Sequence, residues 1–204
     1  MRQLVMRAAA VVLGVSLAGA GCAPLSISPP AVREASAYPA KASRAGLTVA
    51  ADPYADPDKS KAVFGVELVR KGLLAVNLIF KNDGPKKFFV YTNQITFKDA
   101  NGESHPRLQV TQVAEAIERR GFAGGLGTPS VGVGIIGFGT RASPGLAQSY
   151  LEVSLVGRLL SPQSRANGFV YFGLNKDRLV TGQVVVPVHD AADDRILVFE
   201  IPIP

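Results

Sequence analysis

The stretch LLAVNLIFKN, residues 73–82, decides the fold. Leu74, Val76, Leu78 and Phe80 recur at every second position while Asn77 and Lys81 point the other way, so the segment reads as a β-strand. Asn82-Asp83-Gly84-Pro85 ends it with turn residues. Downstream, Lys87–Tyr91 and Gln94–Lys98 predict one or two further strands, with Ile95 and Phe97 on a common face, and Asn101-Gly102 is a tight-turn dipeptide. Alternation returns at Leu151, Val153 and Leu155, then at Val184, Val186 and Val188, and finally at Leu197, Phe199, Ile201 and Ile203. Gly168–Leu174 (GFVYFGL) reads as a strand covered on both faces, Ser161-Pro162-Gln163 as a turn, and Pro187 as the mark of an edge strand. About eight short strands separated by turn signals predict an all-β antiparallel sandwich.

Upstream of this series, Asp56 followed by Pro57 is N-cap chemistry with proline in the first helical position. It predicts a helix from Pro57 to about Arg70, with Val63, Phe64 and Leu68 on one side and Gly72 as its stop. The 204 residues are 47% hydrophobic and 19% charged, a globular balance, and 21 Gly with 14 Pro favour turns and short strands. The absence of Trp removes one hallmark of antibody-type domains. A single cysteine excludes an intrachain disulfide and a cysteine-based metal site. The net charge of +6 is spread without a Lys/Arg run of five, which gives no basis for a nucleic-acid partner.

The N-terminus is organised differently. Arg2 and Arg7 precede an uncharged run, Ala8–Ala20, too short to span a bilayer, and Gly21 and Cys22 follow. This segment resembles the bacterial lipoprotein signal, in which Leu, then Ala or Ser, then Gly or Ala precede a lipidated cysteine. Here Gly19-Ala20-Gly21-Cys22 matches the last three positions and departs at Gly19, with Leu17 two residues upstream. The resemblance covers residues 1–22. It implies a signal peptide over 1–21, cleavage between Gly21 and Cys22, diacylglycerol on the Cys22 sulfur and N-acylation, with palmitate-type chains anchoring the protein in a membrane. Removing residues 1–21 leaves 20 basic against 16 acidic residues, a net charge of +4. Ala23, where an Asp favours inner-membrane retention, points to the outer membrane. Residues 22–45 are rich in Pro, Ala and Ser and read as a flexible tether, reaching on the order of 75 Å when extended. The other reading is that part of it packs on the domain as an irregular strand.

Residues 46–204 form the expected β-domain. Three motifs in it resemble the immunoglobulin-like domains of uncharacterised bacterial envelope lipoproteins: Asn82-Asp83-Gly84, Asp99-Ala100-Asn101-Gly102, and Gly168-Phe169 after a proline-containing turn. The resemblance spans about 64–203 and implies an immunoglobulin-like sandwich without catalytic residues.

An insertion, 111–145, interrupts the series. TQVAEAIERR, residues 111–120, has the composition of a short amphipathic helix. Residues 121–140 carry no charge and eight glycines. Gly132-Val-Gly-Ile-Ile-Gly137 spells a dinucleotide fingerprint but lacks the flanking strand and helix that such a site needs. The segment reads either as a surface loop or as a contact surface whose small residues, Gly121, Gly125, Gly132, Gly134, Gly137 and Gly139, allow close approach of a membrane, subunit or partner.

The sequence offers little for chemistry. His105, before Pro106, reads as a loop histidine. His189, Asp190, Asp193 and Asp194 group oxygens that attract a hard cation, in a spacing that matches no metal loop. No catalytic residue, metal site or cofactor is expected. The sequence therefore suggests a non-enzymatic envelope module, anchored through Cys22, with a protein or glycan partner. The competing reading is a structural subunit of an envelope or secretion assembly that uses the glycine-rich insertion as its contact.

Overall fold

A computed structural model describes residues 27–118, 143–174 and 180–203. Among the described residues ten strands form two antiparallel sheets, with three short α-helices. The strands are β1 (Lys41–Arg44), β2 (Leu47–Pro53), β3 (Leu73–Asn82), β4 (Phe88–Val90), β5 (Thr96–Asp99), β6 (Ser104–Pro106), β7 (Arg158–Leu160), β8 (Arg165–Gly173), β9 (Gly182–Asp190) and β10 (Ile196–Ile203). One sheet runs β1-β2-β3-β8; the other runs β6-β5-β9-β4-β7, with β10 also paired to β9.

The two sheets share a core. Leu74, Val76, Leu78 and Phe80 of β3 meet Phe88, Val90, Phe97, Val184, Val186, Val188, Phe199 and Ile201 of the opposing sheet, which is the interdigitation a sandwich requires. The alternation read from β3, β9 and β10 thus marks inward faces. Pro187 does not mark an edge, because β9 is central. The β5 register ends at Val185 and the β4 register begins at Val188, so Pro187 falls in the gap between two partners, where a missing N–H is tolerated.

The second face of β3 is also buried. The helices α1 (Pro57–Phe64), α2 (Val110–Glu118) and α3 (Pro144–Val153) lie over the four-stranded sheet. Phe64, Val113, Ala114, Ile117, Leu146 and Tyr150 pack there on Leu73, Ala75, Phe169 and Tyr171. Phe64 is the hub: its ring lies 5.7 Å from Tyr54, 5.0 Å from Phe169 and 5.7 Å, stacked, from Tyr150. Burial raises the Tyr150 and Tyr171 hydroxyl pKa values.

Helix α2 fulfils the amphipathic reading of 111–120 as far as Glu118, with Val113, Ala114 and Ile117 buried; residues 119 and 120 lie outside the described residues. Helix α1 begins as expected, with the Asp56 carboxylate accepting from the Lys59 N–H at 2.8 Å, but it is shorter than the predicted Pro57–Arg70. Gly65, at φ +70°, ends it in the left-handed conformation, and Gly72 stops only the following 3-10 turn, Val69–Lys71. The predicted strand at Leu151–Leu155 is mostly helix α3. Ser143-Pro144 is the same start signal as Asp56-Pro57, and Leu146 and Tyr150, four residues apart, are its buried side, while Leu151 is exposed. Only Ser154 and Leu155 are extended, and they lie on β8: the Leu155 N–H donates to the Phe169 carbonyl at 2.9 Å. Gly168 makes this approach possible, since a Cβ there would sit 2.6 Å from the Leu155 backbone.

The segment 27–40 is a strap across the outer face of the four-stranded sheet. The Ser28 N–H donates to the Val63 carbonyl. Glu34 pairs with Arg165 at 2.6 Å, and Ala35 and Tyr38 pack on Ala50 and Ile79. The chain then enters β1, paired with β2. A flexible tether over the whole of 22–45 is therefore corrected: from Ile27 onward the chain packs on the domain, as in the second reading. Among the described residues no helix is long and apolar enough to cross a membrane.

Candidate functional site

Among the described residues none forms such a cover over the outer face of the six-stranded sheet. Its residues are the outward positions of strands whose inward positions fill the core. Leu159 of β7 stands opposite Phe89 of β4, Phe89 opposite His189 of β9, and His189 opposite Ile196 of β10. In the next outward row Pro187 faces Val198, and beyond it Val185 stands between Thr96 and Glu200. Ile196 is 55% exposed, Leu159 46%, Tyr91 39% and Val198 37%. Single exposed apolar side chains are ordinary, but a contiguous run across neighbouring strands marks an interaction surface.

Aromatic side chains sit at one end of this face. The Phe89 and Tyr91 rings are 4.4 Å apart, and Tyr91 meets the His189 imidazole edge-on at 4.8 Å. The His189 ring nitrogens lie 3.0 Å from Asp194 Oδ1 and 3.0 Å from Gln94 Oε1. The imidazole, its side chain 12% exposed, is thereby fixed edge-on to the Tyr91 ring, joining an apolar body to polar partners. Charges of both signs, Lys98, Glu200 and the Asp193–Arg195 pair, stand around it.

The loop after His189 does not gather its carboxylates. Asp190 is buried against Lys86 Nζ and also accepts from the Ala192 N–H. The Lys86 hydrogen bond, then that backbone bond, lower its pKa. Asp193 pairs with Arg195 at 2.7 Å and Asp194 with His189. Each acid has a different partner, so the cation reading of residues 189–194 finds no convergent oxygen set.

His105 is not in a loop. It lies on β6 opposite Phe97, and its side chain is 17% exposed. Its Nε2 is 3.4 Å from Asp99 Oδ2, and with Glu103 these residues have potential ligand atoms within 4.8 Å of one another. Asp99 Oδ1 accepts from the Asn101 and Glu103 N–H groups, at 2.9 Å each. That is the closure of the Asn101-Gly102 hairpin, and it explains Asp99 as a turn residue. Asn82 is structural in the same sense: its amide donates to the Lys86 carbonyl at 2.7 Å and the Ser161 carbonyl at 3.0 Å, tying the β3–β4 turn to the end of β7.

Cys22 and the candidate contact glycines, Gly121, Gly125, Gly132, Gly134, Gly137 and Gly139, lie outside the described residues. The flanks of the glycine-rich segment, Glu118 and Ser143, do not. The Ser143 N–H and hydroxyl donate to the Glu118 carboxylate, lowering its pKa, so α2 hands over to α3 at one place. The sheet face, by contrast, went unnoticed in the sequence. Its signal was present in ILVFEIPI, residues 196–203, where Ile196, Val198 and Pro202 occupy the outward positions and Leu197, Phe199, Ile201 and Ile203 the inward ones.

No known protein family and no curated protein matches this chain. Two solved structures resemble it at low similarity. One, described as an ApaA protein from Bordetella pertussis, is 14% identical, with a TM-score of 0.34 over 78% of this chain and 88% of the other. A functionally unknown protein from Listeria monocytogenes is 13% identical, with a TM-score of 0.36 over 80% of each chain. Likeness at this level says nothing about activity or partners.

Proposed function

We propose that this protein is a lipid-anchored module of a bacterial envelope, with an immunoglobulin-like sandwich that binds a partner without catalysing a reaction. The apolar outer face of the six-stranded sheet, which no described residue covers, carries the binding reading: Tyr91, Leu159, Ile196 and Val198 are exposed on it, beside half-buried Phe89 and His189. Such a face is an aggregation liability in isolation and a docking surface when a partner covers it. The run Ala8–Ala20 and the unique Cys22 support the anchor, and Ala23 favours the outer membrane. An envelope protein suits the broad apolar face; a glycan would engage chiefly the Phe89–Tyr91 end.

Photo-crosslinking in the native cell tests the binding reading. A crosslinkable residue at Ile196 or Leu159 should give a discrete adduct that Tyr91→Asp abolishes, whereas the same residue at Lys61 on α1 should not give that adduct. Adducts that ignore position would refute the sheet face as the site. Cys22→Ser should abolish incorporation of labelled lipid; persistent labelling would refute the anchor.

A further inference from the structure

The strap bears on where this domain sits relative to a membrane. Ile27 is already packed against the aromatic layer under the helices, and the Ser28 N–H donates to the Val63 carbonyl at 2.9 Å. From there the chain is held at Glu34 by Arg165, at Ala35 and Tyr38 by Ala50 and Ile79, and at Ala40 by the Ala51 N–H. It cannot supply slack unless buried Tyr38 and Ala35 peel away from the sheet. Between Cys22 and Ile27 there are only five steps of chain, at most about 18 Å when fully extended. The headgroup layer alone takes roughly 5–7 Å of that.

We infer that the domain lies against the bilayer with its helical layer toward the lipid, held by this short leash. The inference rests on the lipoprotein reading above and adds the face that meets the membrane. The turn beside the exit point suits that surface. Glu67 is shared between Lys61, 53% exposed, and Arg70, 81% exposed, so two cations stand on one acid. Anionic headgroups attract such a cluster. The sandwich then sets the uncovered sheet face on the far side. Two sheets stacked about 10 Å apart, plus the helical layer, separate Val198 from the lipid, leaving that face open to partners while the helices rest on the membrane.

Depth-dependent quenching tests this in the full lipidated protein. Lipid on the Cys22 sulfur blocks that thiol, so one added cysteine is the sole site for a fluorophore. Lys61→Cys and Val198→Cys are compared in phosphatidylethanolamine–phosphatidylglycerol vesicles carrying a headgroup quencher, with Arg70→Cys repeating the first position. Quenching should be several-fold stronger at Lys61 and Arg70 than at Val198. A flexible insert of about ten residues after Ala23 should reduce that difference by adding reach. Equal quenching at both faces, stronger quenching at Val198, or indifference to the insert overturns the inference. Mass spectrometry of Cys22 separates the two failures. An unlipidated Cys22 removes the lipoprotein reading and this inference with it, whereas a lipidated Cys22 with an unquenched Lys61 removes this inference alone.

Discussion

The two sheets of this sandwich have outer faces of similar composition and opposite fates. Over the four-stranded sheet, Ala75, Phe169 and Tyr171 are covered by three helices and a strap. Over the six-stranded sheet, Tyr91, Leu159, Ile196 and Val198 stay exposed among the described residues, with Phe89 half-buried between them. The first face belongs to the stability of the fold; the second is available for binding. Apolar residues at outward positions therefore do not identify a site. What distinguishes one is that no other described part of the chain is placed to cover it.

The largest expected effect comes from the covered side. Phe64→Ala empties the centre of the aromatic layer and should cost about 3–5 kcal/mol, read by denaturant unfolding. A comparable truncation on the open face, Val198→Ala, should stay within about 0.5 kcal/mol. Equal losses would erase the distinction between the faces. Gly168→Ala should be next, costing about 1–3 kcal/mol, because its Cβ would collide with the Leu155 backbone that brings α3 onto β8. Acid sensitivity should involve Asp190. Its pKa is lowered in the fold by Lys86, so the stability it contributes is present above the unfolded-state carboxylate range and fades as pH falls through the folded value. Asp190→Asn should therefore be less stable than the wild type at neutral pH, and the two should converge on acidification; a gap independent of pH would contradict this. A small effect also belongs to the glycine-rich segment. Because Glu118 and Ser143 are joined by hydrogen bonds, replacing 121–140 with a short Gly/Ser connector should change stability by about 0.6 kcal/mol per halving of loop length. Outright unfolding would make the segment part of the core.

What the sequence disclosed follows the same division. Strand β3 was legible because its inward positions are uniformly apolar, and α2 because its composition favours a helix. Helix α3 was misread because Leu151, Val153 and Leu155 mimic a two-residue period, although Ser143-Pro144 announces a helix start. Strand β1, KASR, has no apolar pattern at all; it is held by backbone pairing to β2. β2 was missed because Asp52-Pro53 at its end reads as a turn. The candidate site was the least legible part. Outward apolar residues on β8 and β10 look alike until the helices take their places, and only those on β8 are then covered by described residues.

The most direct test of the central claim is side-chain footprinting by hydroxyl radicals, applied to the protein in its native envelope and to the purified domain. The account expects Leu159, Tyr91, Ile196 and Val198 to be strongly labelled in the purified domain and protected together in the envelope, while Phe64 and Tyr150 stay unlabelled in both. Labelling of the four sheet residues to the same extent in the envelope as in the purified domain would contradict it.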